Sequence, residues 1–353
     1  MKNILITGGE GYLGNFLKKK LSKLGFKVFS IDINKRKKNN NNKIIFCKID
    51  ILDKKSLDYF FDKNKIDIVI NAAALVPVKK SGNAFFKVNE IGTKNLVNIS
   101  KKYKIKKFVH ISSSAVYGNI LKSDCPIKNS NKNLLPVEPY GQSKANADKI
   151  IKKEINNNKK ILFSIARPRT ILGGGRLGIF SILFEWVSEG KNIYVIGNGK
   201  NLFQFVHIND FVNVIIKLIY LKKRGEYNVG TENYCSLKET LEYLCQISKK
   251  KSKIIYINKY FAVLILWILD KINLSPLSYY HYITYSKDYY FCLEDTKKDL
   301  DWRSKYSNKM MIKDSYQYYL KNKKIINNNV ESEYLNHRYP VKQKVLKLLK
   351  YFS

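Results

Sequence analysis

Acidic residues are scarce in this 353-residue chain, with 28 Asp and Glu against 65 Lys and Arg, a formal net charge of +37. An excess of that size ordinarily marks a protein that binds nucleic acid or an anionic membrane. Here the surplus is spread from end to end among abundant Asn, Ile and Tyr, a bias of A/T-rich coding rather than of a binding face, and no nucleic-acid-binding motif accompanies it. A nucleic-acid partner is therefore not expected. Cysteines are also few. Cys47, Cys125, Cys235, Cys245 and Cys292 are odd in number, far apart and never spaced Cys-x-x-Cys. That argues against a disulfide framework and a metal site, and it fits a reducing cytoplasm. Long hydrophobic runs are missing: the longest, Phe261 to Leu269, falls far short of the roughly 20 residues that cross a bilayer. The chain enters a strand-like run within three residues of its start, so no signal peptide is expected.

Apolar residues make up 45% of the chain, enough for a packed interior at this length. Runs at 3–7, 27–32, 43–49, 66–70, 108–111 and 161–166 read as buried strands. Segments of helical spacing separate them, including Phe16, Leu17, Leu21 and Leu24, then Leu57, Phe60 and Phe61, then Val88, Ile91, Leu96, Val97 and Ile99. Strand and helix in alternation imply right-handed parallel crossovers, hence an α/β doubly wound parallel sheet with a smaller mixed C-terminal region. The expected division is a nucleotide-binding domain over 1–167, completed by about 203–230, with a substrate region from 168–202 and 231–325. Within it, Phe203 to Ile208 reads as one strand, and Phe261 to Leu269 as a buried helix of the small domain.

The first strand runs into Thr7-Gly8-Gly9-Glu10-Gly11-Tyr12-Leu13-Gly14, after which helical spacing begins. Residues without side chains let backbone approach a pyrophosphate, whose charge the unpaired amides at a helix start stabilise. Gly8, Gly11 and Gly14 recur every three residues, unlike the commonest Gly-x-Gly-x-x-Gly fingerprint. Asp32 ends the second strand, eighteen positions past Gly14, where a carboxylate accepts both ribose hydroxyls and repels a 2′-phosphate. This favours NAD over NADP, although Arg36 and Lys37 partly offset the repulsion. Asp50, Ile51, Ala72, Ala73, Ala74 and Pro168 also fall at strand ends, where ligands of open parallel sheets bind.

Ser112-Ser113-Ser114-Ala115-Val116-Tyr117-Gly118 closes the fifth strand, and Tyr140 and Lys144, spaced Tyr-x-x-x-Lys, follow at the start of a helix. A free phenol titrates near ~10, too high for a base at neutrality. An ammonium on the same helix face and a cationic nicotinamide both favour phenolate. One serine hydroxyl would hold the substrate oxygen.

In order along the chain, Thr7 to Gly14, Asp32, Asp50-Ile51, Asn71 to Ala74, Asn89 with Gly92-Thr93, Ser112 to Gly118, Tyr140 to Lys144, Arg167-Pro168 and Leu300-Asp301-Trp302 resemble the extended short-chain dehydrogenase/reductase family, the NAD-dependent epimerase/dehydratases. The resemblance implies an enzyme with NAD as cofactor, Tyr140 as base, Lys144 as its partner and Ser113 in the family's Ser/Thr place. It also implies that Asn89 supports the cofactor site and that the chain forms a homodimer. Ser114 and Ala115 stand where 4,6-dehydratases carry Asp-Glu, which disfavours dehydration. Phe203-Gln204-Phe205-Val206-His207 lacks the arginine with which many sugar-nucleotide epimerases grip a diphosphate, a role Lys200 or Arg176 could take in part. A nucleotide-sugar epimerase is the expected function. The alternatives are a dehydrogenase or reductase of a lipid-like or steroid-like alcohol, which the apolar stretch Phe261 to Leu269 keeps open, and a non-catalytic NAD-binding protein. The tail, 326–353, carries Val341, Val345, Leu348, Leu349 and Phe352 along one helical stripe beside Lys342, Lys344, Lys347 and Lys350. Such a stripe suits weak contact with an anionic membrane, or packing on its own domain or a partner.

Overall fold

The computed structural model describes residues 2–34, 41–77, 81–131, 134–175, 177–272, 274–275, 277, 279–327 and 350. The N-terminal apolar runs become strands separated by helices. They are β1 (Asn3–Thr7), α1 (Tyr12–Lys23), β2 (Lys27–Asp32), β3 (Ile44–Lys48), α2 (Lys54–Lys63), β4 (Ile68–Asn71), α3 (Gly92–Lys102), β5 (Lys107–Ile111), α4 (Pro139–Asn157) and β6 (Leu162–Pro168). There follow β7 (Thr170–Leu172), α5 (Phe180–Ser188), β8 (Ile193–Ile196), β9 (Leu202–Phe203), β10 (Phe205–His207), α6 (Ile208–Tyr220) and β11 (Gly225–Val229). The last elements are β12 (Cys235–Ser236), α7 (Leu237–Ser248), β13 (Ile254–Ile257), α8 (Lys259–Lys271), α9 (Tyr279–Thr284), α10 (Glu294–Leu300) and α11 (Asn308–Asn327).

Seven strands form one parallel sheet in the order β11-β6-β5-β4-β1-β2-β3. Strand residues alternate between its faces. Ile4, Ile6, Val28, Ile68, Ile70 and Val109 pack with Leu17, Leu21, Phe211 and Ile215 of α1 and α6. Leu5, Phe29, Ile31, Val69, Phe108 and Phe163 pack with Leu57, Phe60, Leu96 and Val97 of α2 and α3. A sheet covered on both faces has no polar side to expose, which is why its strands read as continuous apolar runs. The chain leaves β1 toward β2 on one side and crosses to β4 on the other, so the carboxyl ends of β1 and β4 flank a crevice. A third apolar cluster, with Phe184, Trp186, Phe203, Phe205, Tyr289 and Tyr319, fills the C-terminal half.

Two expectations change, and one strand had no apolar run to mark it. Phe203 to Ile208 is not one strand: β9 pairs antiparallel with β12, and β10 pairs parallel with β7. Between them, buried Gln204 donates from Nε2 to Thr231 O at 2.8 Å and accepts from Phe291 N at 3.0 Å, so its amide replaces ladder bonds where the chain changes partner. The seventh strand, β11, is half polar and gave no apolar run to read. Its Tyr227 hydroxyl bonds Asp299 at 3.1 Å, and its Asn228 side chain donates to Ile127 O at 3.1 Å. Finally, α8 is not buried: of its residues only Ala262 is.

The tail helix expected over 340–353 lies outside the described residues, apart from Lys350, whose Nζ sits 2.8 Å from Glu189 and also pairs with Glu185. Arg36, Lys37 and Arg176 lie outside them as well. Among the described residues no helix is long and apolar enough to cross a membrane.

Candidate active site

A cleft of about 610 Å³ lies beyond the carboxyl ends of the central strands, within the usual range of small-ligand sites. Gly8, Gly11, Tyr12, Leu13, Gly14, Asp32, Asp50, Ile51, Ala72, Ala73, Ala74, Ser113, Tyr140, Lys144 and Pro168 all line it. Asn89 does not.

The glycine turn is shaped by close approach. Gly8 has φ +64°, and a Cβ there would lie 2.7 Å from Ala73 Cα. A Cβ on Gly14 would overlap the Gly8 carbonyl oxygen and lie 2.6 Å from Gly9 Cα. The absence of these side chains lets α1 start directly under the turn. Its N-cap is Gly11, with no side-chain cap and no acid in the first turn, so the leading amides keep their positive field for an anion. The cradle therefore fits the pyrophosphate of a dinucleotide. Gly14→Ala is expected to weaken NAD binding at least about tenfold (~1.4 kcal/mol) by pushing α1 off the turn. Calorimetric titration of NAD into wild type and variant checks this.

Asp32 is anchored by backbone amides: its Oδ2 accepts from Glu10 N and its Oδ1 from Asn34 N, each at 3.1 Å. Glu10 is a cleft residue that sequence reasoning passed over. An acid in a phosphate loop would repel its ligand, but Glu10 is buried, paired with Lys18, and accepts from Ser30 Oγ at 2.7 Å. On the opposite wall, Thr7 Oγ1 donates to Asn71 Oδ1 at 2.9 Å and accepts from Ala73 N at 3.1 Å, holding the chain after β4 against the end of β1. Asn89 stands behind this wall. It accepts from Leu75 N at 2.9 Å and donates to Leu75 O at 3.2 Å and Ser143 Oγ at 3.0 Å, tying the loop to α4.

Ser113 extends β5 and caps the short 3-10 turn Ser114–Val116, its Oγ accepting from Ala115 N at 3.1 Å. Such a hydroxyl can still donate its proton into the cleft. α4 begins with Pro139, pre-set for a helix start, so Tyr140 and Lys144 fall one turn apart on one face. Gly141 brings that helix against the serine turn: a Cβ there would lie 2.7 Å from Ala115 O. The Tyr140 ring is half-buried and packs edge-on to Phe85 at 5.8 Å. Lys144 is 2% exposed and donates from Nζ to Ile111 O at 2.6 Å. Burial makes its charged form costly and pulls its pKa down from 10.5 to about 8, against a raising contribution from Asp148.

Of the Arg167-Pro168 pair, only the proline faces the cleft. Arg167 is wholly buried, its Nε 2.7 Å from Asp148 Oδ2, and it also pairs with Glu226. Arg169, by contrast, is a site residue that no motif marked. It lines the cleft and is 2% exposed. Its guanidinium lies 4.1 Å from the Tyr289 ring centre and 4.9 Å from that of Phe203, the position where an arginine was sought. Nε donates to Gln204 O at 3.1 Å, while Nη1 and Nη2 have no hydrogen-bond partner among the described residues. Lys200 does not line the cleft. Among the described residues no His, Cys, Asp or Glu cluster could hold a metal ion.

The model of the NAD dependent epimerase/dehydratase family matches residues 4–230. An uncharacterized protein of Sinorhizobium fredii is 35% identical, over 99% of this chain and 86% of its own length. A putative UDP-glucose 4-epimerase of Methanocaldococcus jannaschii is 31% identical, over 68% of this chain and 81% of its own. Among solved structures, UDP-glucuronic acid 4-epimerase from Bacillus cereus in complex with NAD superposes with a TM-score of 0.72 at 22% identity, covering 90% of this chain and 99% of that one. A glycine cradle at the switch point, with a tyrosine and a lysine of one helix on the facing wall, thus accompanies a family match over more than half of the sequence: the chain belongs to the NAD dependent epimerase/dehydratase family.

Proposed function

We propose that this protein is a nucleotide-sugar epimerase that inverts a secondary alcohol carbon by oxidising it transiently and reducing it from the other face. The observation that carries this reading is the convergence of Tyr140, Lys144 and Ser113 on the cleft that also holds the glycine cradle. Gly8, Gly11 and Gly14 would bind the pyrophosphate of NAD, Asp32 the adenine ribose, and Lys144 the nicotinamide ribose. When bound, NAD supplies reversible hydride acceptance. Tyr140 takes the hydroxyl proton as general base and later returns one, Lys144 favours the phenolate, and Ser113 donates a hydrogen bond that orients the oxygen. Ser114 and Ala115, next to that hydroxyl, offer no proton-transfer pair for loss of water. The unpartnered terminal N–H groups of Arg169 supply donors for an anionic group of the substrate, as a diphosphate requires.

A panel of UDP- and dTDP-sugars, assayed with and without added NAD, tests the reading. Epimeric product without net NADH supports it. Stoichiometric NADH makes the enzyme a dehydrogenase instead, and silence on every sugar directs the search to lipid-like alcohols.

A pH dependence follows from Lys144. Its ammonium is present below about 8 and is lost as pH rises through that value. Its help to the phenolate disappears with it, so kcat is expected to fall on the alkaline side with an apparent pKa near 8. The Lys144→Met variant should be slower and lack that limb. Stability moves the other way: the unfolded chain binds the proton more tightly between about 8 and 10.5, so burial of Lys144 costs less as pH rises across that window.

A further inference from the structure

Apolar helices in folded proteins are normally buried, and α8 is not. Nine consecutive apolar residues, Phe261 to Leu269, occupy it after Tyr260, yet Tyr260 is 83% exposed, Phe261 60%, Leu264 54%, Trp267 46% and Ile268 48%. The surface continues on both sides of the helix, through Tyr256 of β13 at 42% and through Ile272 and Leu274 at 57% and 48%. Single exposed apolar residues need no explanation, but a contiguous set along one helix marks a contact surface. Its rim is basic. Lys250, Lys251 and Lys253 are exposed in the segment leading to β13, Lys271 is exposed at the far end of α8, and its Nζ lies 5.7 Å from the Trp267 ring centre.

We infer that α8 docks this protein on an anionic phospholipid surface, lying in the plane of the interface with Phe261, Leu264, Trp267 and Ile268 among the acyl chains and the lysines at the headgroups. Apolar residues flanked by aromatics and lysines are what that boundary accommodates. Charge selects this occupant over a second copy of the chain: two protomers would bring Lys250, Lys251, Lys253 and Lys271 of one rim against those of the other, whereas an anionic bilayer attracts them. α8 packs on α9, and Tyr280 and His281 of α9 line the cleft, so docking holds that side of the cleft at the surface. The inference does not depend on which alcohol the cleft takes.

Trp267 is the reporter, because the other two tryptophans, Trp186 and Trp302, are only 3% and 4% exposed. In the full-length protein without lipid, iodide should quench Trp267. On addition of vesicles of equimolar phosphatidylglycerol and phosphatidylcholine its emission should shift to the blue and quenching should be lost, with much weaker binding to pure phosphatidylcholine and at high salt. Phe261→Ser/Leu264→Ser/Ile268→Ser, which keeps the reporter, should bind at least about tenfold more weakly in flotation. Should that variant misfold by circular dichroism, Lys250→Glu/Lys251→Glu/Lys253→Glu, which leaves the helix intact, should lose the preference for anionic vesicles. Unchanged emission with vesicles overturns the inference. So does undiminished flotation of a folded variant, which would place binding elsewhere in the chain, and so does a Trp267 already shielded from iodide by self-association.

Discussion

Tyr140→Phe is expected to lower kcat by about 10²–10⁴-fold, the usual contribution of a positioned general base, while leaving the Kd for NAD within about threefold of wild type. The asymmetry follows from where the residue stands. The pyrophosphate cradle is built from backbone at Gly8, Gly11 and Gly14, on the far side of the crevice from α4, and loses nothing when one phenol oxygen is removed. The ring keeps its edge-on packing against Phe85, 5.8 Å away, so the phenylalanine should sit where the tyrosine did. What disappears is the group proposed to accept the substrate proton. Single-turnover kinetics with saturating NAD, together with NAD titration of the variant, checks both halves. A variant that turns over at the wild-type rate would remove Tyr140 from the chemistry. One that no longer binds NAD would show that the substitution disturbed the wall of the cleft rather than the proton transfer.

Much of this arrangement was legible in the residues because it depends on local rules. Glycines at 8, 11 and 14 sit where backbone must approach backbone, and such positions declare themselves wherever they follow an apolar strand and precede a helix. Tyr140 and Lys144 were readable as a pair because helical periodicity places residues four apart on one face, and Pro139 marks the helix start. The residues that escaped are those whose partners are distant in sequence. Glu10 reads as a charge in a phosphate loop, and only the fold reveals Lys18 and Ser30 around it. Arg169 follows Arg167-Pro168 in sequence, but its place against Tyr289 and Phe203 depends on three separate segments meeting. α8 was misread for a related reason. Periodicity measures how apolar a segment is, and burial depends on what else the chain brings to cover it.

Asp148→Ala is expected to destabilise the fold by about 3–5 kcal/mol, because it leaves an arginine buried without its closest counter-ion. Arg167 and Asp148 are both wholly buried, joined at 2.7 Å between Nε and Oδ2. The carboxylates of Asp148 and Glu226 hold the guanidinium charged against burial, driving its pKa still higher. With Asp148 gone, Arg167 keeps Glu226, which it shares with Lys152 at 3.0 Å, and a bond to the Tyr117 hydroxyl at 3.3 Å. Neither replaces a fully buried partner. His110, whose Nε2 lies 3.7 Å from Asp148 Oδ1, cannot supply the missing negative charge, because an imidazole is neutral or cationic. The double variant Asp148→Ala/Arg167→Met should recover most of the loss, because an apolar side chain of similar length removes the stranded charge. Urea denaturation of the four proteins of this cycle measures the coupling, and additive losses would show that the pair does not act as one unit. The pair also bears on the cleft. Asp148 lies one turn beyond Lys144 on α4, and Arg167 immediately precedes Pro168 on β6, so their bond fixes the helix that carries Tyr140 and Lys144 to the strand that ends at the cleft. Asp148→Ala should therefore lower kcat as well as stability at temperatures where the protein remains folded, and Asp148→Asn, which preserves the shape and part of the hydrogen bonding, should lie between the two.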